Sequence, residues 1–133
     1  MADTETETPQ RAELPARISS SLALVWRRYA GERPSSVETA IVGTRISCVL
    51  TDSVQGFAQG MAASELDDAG RTGPAPTLAS YRREAIEAVA KATRQRVMAF
   101  VSDHDAKSDV ATEVFILDGP PRRRSIFVDR RLS

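Results

Sequence analysis

The stretch from Leu78 to Leu117, LASYRREAIEAVAKATRQRVMAFVSDHDAKSDVATEVFIL, decides the fold, because its hydrophobic period changes once, from near four to near two. Leu78, Tyr81, Ala85, Ala88, Val89 and Ala92 recur at helical spacing, while Glu84, Glu87 and Lys91 take the solvated side. Glu87 and Lys91 stand four apart with the acid first, the favourable order for a helical pair. Beyond Arg96 the chain turns strand-like. Val97 to Val101 and Val110 to Leu117 are rich in Val, Ile and Phe, and the polar run Ser102 to Asp109 separates them. Both runs are apolar at alternate positions on both sides, which predicts a hairpin in the middle of a sheet or at a subunit interface.

Upstream the same order occurs once more. Ile18, Leu22, Val25, Trp26 and Tyr29 lie at helical spacing, Pro15 suits a first helical turn, and Gly31 with Pro34 ends the segment. Val37, Thr39 and Ile41 then alternate with Glu38, Ala40 and Val42, Gly43-Thr44 offers a tight turn, and Ile46, Cys48 and Leu50 alternate with Ser47 and Val49. Between Thr51 and Pro76, Phe57, Met61 and Leu66 suggest one face of a helix that Gly56 and Gly60 weaken. The predicted class is α+β in two layers. A four-stranded, mainly antiparallel sheet of two hairpins carries two or three helices on one face, in the order α-ββ-α(α)-ββ.

At 133 residues the chain suits one domain, expected over 14–118. Residues 1–13 read as a flexible acidic tail, with Asp3, Glu5, Glu7 and Glu13 against Arg11 and no hydrophobic period. Residues 119–133 read as a basic Pro/Arg-rich tail in which Ile126, Phe127 and Val128 form one short edge strand at most. These opposite ends leave 18 Lys+Arg balanced by 18 Asp+Glu, so no global field draws the molecule to a polyanion. No apolar run approaches the ~20 residues of a membrane span, and the acidic start is unlike a secretory leader. A lone cysteine fits a reducing compartment. The expected location is therefore cytoplasmic.

Four groups of residues invite chemistry. Asp103, His104, Asp105 and Asp109 crowd within one loop and offer oxygen and nitrogen ligands to a divalent ion, yet Lys107 occupies the fifth position of a calcium-loop pattern and no glycine follows. The plainer reading is a polar turn bonded to its own backbone, and no metal or cofactor is expected. Glu113 interrupts an apolar strand. It is expected to pair with an arginine across the sheet or across a dimer interface, with a general acid or base of raised pKa as the alternative. Cys48 reads as a small buried hydrophobe, far from any base. Arg122, Arg123, Arg124, Arg130 and Arg131 suit contact with a partner or a polyanion, although such runs are usually solvated and nucleic acid is not the expected ligand.

The segments Tyr81-Arg82-Arg83-Glu84, Ala88-Val89, Val97 to Phe100, Ser102 to Asp105 and Asp109 to Leu117 resemble the MpsC-like family. That family was long catalogued as a domain of unknown function and is named for a component of a sodium-translocating, membrane-potential-generating system. The likeness runs from about Ile18 to Leu117, and the glycine-interrupted stretch after Thr51-Asp-Ser-Val54 departs from the family pattern. No catalytic motif transfers with it. The resemblance implies a non-enzymatic accessory protein that binds a protein partner, associated with an ion or bicarbonate transport system at the inner face of the membrane. A homodimer is expected from the doubly apolar hairpin. The alternatives are a small metal-dependent or acid/base enzyme using the 103–109 loop with Glu113, and nucleic-acid binding through the arginine tail.

Overall fold

Alternation in the two hairpins dictates a sheet with one dry face, and the helical stripes supply its cover. The computed structural model describes residues 2–66 and 75–122. Its elements run α1 (Ala2–Ala30), β1 (Ser36–Val42), β2 (Arg45–Thr51), α2 (Val54–Leu66), α3 (Leu78–Thr93), β3 (Val97–Asp105) and β4 (Val110–Leu117). The strands form one antiparallel sheet in the order β1-β2-β4-β3. This is the α+β arrangement expected from the sequence. The bounds of α1 take in the stretch set apart above as an acidic tail, and Pro15 lies inside the helix.

Gly43 takes a left-handed φ of 60° at the first position of the two-residue β1-β2 turn, which matches the twist of the flanking strands. Helix α3 opens on a reciprocal cap. Thr77 Oγ1 accepts from the Ser80 amide while Ser80 Oγ accepts from the Thr77 amide, and Arg94 closes the helix in the left-handed region.

The core lies between the sheet and the helices. Ile18, Leu22, Val25, Trp26 and Tyr29 come from α1, Val54 and Phe57 from α2, and Tyr81, Ala85 and Val89 from α3. Ile46, Cys48 and Leu50 of β2 and Ala111, Phe115 and Leu117 of β4 meet them from below, with Phe100 of β3 stacked on Phe115 at 4.6 Å. One sequence expectation is only half met. Strand β4 is central, but β3 is an edge, because β4 pairs with β2 on one side and β3 is left at the end of the row.

Gly60 is what lets α2 lie on α1. A Cβ there would meet the Tyr29 carbonyl oxygen at 2.0 Å and Ala30 Cα at 2.8 Å, both backbone atoms that cannot swing aside. At Gly56 the nearest atoms are 3.9 and 4.0 Å away, an ordinary contact. Two alanine substitutions in one helix should therefore act in opposite directions. Gly60→Ala is expected to destabilise by about 1–3 kcal/mol through overpacking. Gly56→Ala should stabilise by about 0.5–1 kcal/mol through helix propensity. Urea midpoints of the two variants check this, and equal shifts would remove the close-approach account.

Candidate functional site

A strand in the middle of a sheet turns every second side chain inward, and on β4 this phase carries Ala111, Glu113, Phe115 and Leu117 beneath the helices. Glu113 is fully buried. The Tyr81 hydroxyl, brought down by α3, donates to its carboxylate at 2.7 Å and lies 2.8 Å from the other oxygen; Ser102 Oγ on β3 donates at 3.3 Å. Cys48 faces it across the β2-β4 register. Burial pushes the Glu113 carboxyl up to about 7, against the smaller lowering effects of the Tyr81 and Ser102 hydrogen bonds and of the Arg82 charge. The expected arginine partner is not what holds it. Among the described residues no arginine reaches the carboxylate, because Arg82 instead lies over the Phe100 ring at 4.7 Å and donates to the Phe100 carbonyl.

Around this carboxyl stands an aromatic wall. The Trp26 ring meets Phe57 at 4.4 Å, Tyr81 at 5.3 Å and His104 at 5.5 Å. Its Nε1 is buried and has no hydrogen-bond partner among the described residues. Tyr29 donates to Glu84 and its hydroxyl oxygen lies 3.1 Å from Ser80 Oγ, both on α3, and Arg28 pairs with the same Glu84, so the rim between α1 and α3 is tied by charge. In the groove between these helices, Arg17 donates to the Ala92 carbonyl and Lys91 is exposed.

The 103–109 cluster is taken apart by strand geometry. Asp103 and Asp105 point to the open face of the sheet and are exposed, whereas His104 between them turns inward against Trp26 and Phe57. Partial burial lowers the His104 pKa, against a smaller raising effect of Asp103. Asp105 Oδ1 accepts from the Lys107 amide at 3.0 Å, the expected polar turn. Asp109 does something the sequence reading did not foresee. Its carboxylate accepts from the Gln55 amide at 2.8 Å in the first turn of α2, and its carbonyl accepts from Ser53 N at 3.1 Å, so the hairpin loop caps a helix 54 residues away in sequence. Among the described residues no three His, Cys, Asp or Glu side chains stand together as a metal site.

Cys48 is fully buried and its thiol is pushed up to about 12 by desolvation first and by the Glu113 charge last, with the Thr39 hydroxyl opposing. Arg122 is exposed and its amide donates to the Thr93 carbonyl at 2.9 Å. Arg123, Arg124, Arg130, Arg131 and the segment Ile126 to Val128 lie outside the described residues. Sequence reasoning found Glu113 but missed its partners. Tyr81 was legible only as a member of an apolar stripe, and its hydroxyl was the available signal; Ser102 was absorbed into the loop.

A family model described as Na+-translocating membrane potential-generating system (MpsC) matches residues 10–119. No curated protein and no solved structure matches the chain.

The Glu113 geometry carries a pH dependence of definite sign. Its folded-state pKa is raised from 4.5 to about 7, so the neutral acid favours folding; that contribution is complete below the ordinary value and is lost as pH rises through 7. The loss should be on the order of 3 kcal/mol. His104 acts oppositely, since its lowered pKa removes stability as pH falls below the ordinary value of 6.5. Unfolding free energies of the wild type and of Glu113→Gln between pH 4.5 and 8 separate the two. The variant should lack the decline toward high pH, and an unchanged slope would show that Glu113 does not titrate in that window. Tyr81→Phe should cost about 1–3 kcal/mol, the penalty of a buried acceptor deprived of its donor.

Proposed function

Because the chain belongs to the MpsC family, we propose that it serves as a non-enzymatic accessory protein of a Na+-translocating, membrane-potential-generating system, working by contact with a protein partner. Family membership supports the link to that system. The mode of action rests on one observation: one end of the sheet's outer face, around Val42, Ile116, Val114 and Val101, is apolar and open, while Glu113, Tyr81 and Cys48 are buried. Val42 and Val101 are each 62% exposed and Met98 is 55% exposed. Exposed apolar groups gathered on one face favour an interface. Glu113, Tyr81 and Cys48, by contrast, are fully buried.

No described helix is long and apolar enough to cross a membrane, so the proposed work at the inner face of the membrane proceeds through another protein. The acid/base alternative places its chemistry on Glu113 and on the 103–109 loop, and it makes a different demand on mutants. Loss of the carboxylates would then abolish function outright.

The test is complementation of a strain lacking the gene, read as Na+ extrusion and dye-reported membrane potential. The wild type should restore both. Glu113→Gln and Asp105→Asn should also restore them, because the proposed role needs a folded surface rather than a titrating group. Val101→Asp should fail while retaining a native circular dichroism spectrum. Failure of the two carboxylate variants with a native fold would overturn the reading in favour of an enzyme.

A further inference from the structure

We propose that the open sheet face is closed by a second copy of this chain, through a two-fold axis lying in the plane of the face and running across the strands. This deepens the reading that the face is a protein interface and rests on it. The strand registers fix a grid of outward side chains in the order β1-β2-β4-β3. Val42, Arg45, Ile116 and Ala99 make its first row, Ala40, Ser47, Val114 and Val101 its second, and Glu38, Val49, Thr112 and Asp103 its third. The first two rows are apolar except for Arg45 and Ser47. Among the described residues no helix covers this side, since the buried positions of all three helices face the other one.

Charge selects the symmetry. Face-to-face dimers of a sheet have two simple choices of axis. An axis along the strands would set Glu38 on the β1 edge against the partner's Asp103 on the β3 edge, twice, with like charges opposed. An axis across the strands, along the Ala40-Ser47-Val114-Val101 row, lays the first row of one copy on the third row of the other. Arg45 then lies over the partner's Val49, whose neighbour one strand away, ~4.8 Å, is the partner's Glu38. Two Arg45-Glu38 pairs form by symmetry, and the small and apolar second row meets itself at the centre. Within one chain Arg45 and Glu38 are four residues apart along the β1 register, roughly 13 Å, so they do not satisfy each other.

Size sets the strength. Four strands at ~4.8 Å and three rows at about 7 Å give a footprint on the order of 400 Å² per copy, half that of a standard interface and in the range of weak, transient contacts. The dimer is accordingly weak and concentration-dependent. The zero formal net charge of the chain adds no long-range repulsion between copies.

Sedimentation of the full chain from about 1 µM to about 1 mM is the test. The wild type should pass from monomer to dimer across that range, and a strict monomer throughout would overturn the proposal. Val101→Asp should weaken association at least about tenfold, and a dimer indifferent to it would show that another surface is used. Arg45→Glu and Glu38→Arg should each weaken it, whereas the double swap should return to within about threefold of the wild type. A swap that restores nothing refutes the axis. A monomeric wild type whose Val101→Asp variant still fails complementation would sink the dimer and leave the protein-contact reading standing. A dimer lost in Val101→Asp with complementation intact would sink that reading instead.

Discussion

A carboxyl group set in the middle of a dry sheet must be answered by donors from the layers around it, and much of this molecule's geometry follows from that demand at Glu113. Tyr81 reaches it only if α3 lies with its Tyr81-Ala85-Val89 stripe facing down, and Ser102 reaches it only if β3 pairs with β4 in the observed register. A one-residue slip of β4 would turn the carboxyl to the open face and its neighbours Thr112 and Val114 into the core, and a slip of β3 would turn Ser102 away from it. The slip of β4 would strip Tyr81 of its acceptor. Specificity of register is thus bound to a polar interaction whose net contribution to stability is modest but whose loss is costly.

The second constraint is the distant cap. Asp109 carries the loop between β3 and β4 to the first turn of α2, and Ser53 is anchored there by its amide to Asp109 and by its hydroxyl to the Leu50 carbonyl. Gly60, one and a half turns further, lets the same helix settle against the carbonyl of Tyr29. Helix α2 is therefore fixed at its first turn and its middle by contacts that do not require a strong hydrophobic stripe of its own. That explains how a segment with two glycines and few large apolar groups holds its Phe57 against Trp26 and Tyr29.

Local period carried most of the architecture into view before any coordinates. The 3.6-residue stripes of α1 and α3 and the two-residue alternation of β1 and β2 each report directly on one buried face. The order of strands was not legible, because the pairing of β2 with β4 joins segments some sixty residues apart and no local signal encodes it. For the same reason the role of Asp109 was hidden among the loop acids. Glu113 was visible as an anomaly, but the expectation of an arginine partner failed. Two hydroxyls answered the carboxyl where a cation was looked for, and burial then favours the protonated state that needs no counter-charge. His104 and Asp103 show the limit of clustering in sequence: adjacency along a strand means opposite faces, so crowded ligand types are separated rather than assembled.

The two faces of β4 express the division of labour that the proposed role needs. Inward positions carry the one ionisable group of β4, Glu113, whose carboxyl is pushed up to about 7 by burial. Outward positions carry Thr112, Val114 and Ile116, uncharged groups that continue to Val101 on β3 and, past Arg45 and Ser47 on β2, to Ala40 and Val42 on β1. Here Glu113 is sealed from solvent, while Val42 and Val101 stand exposed. The chain belongs to a family named for a Na+-translocating, membrane-potential-generating system, and the contact with a protein partner proposed for it rests on that exposed face.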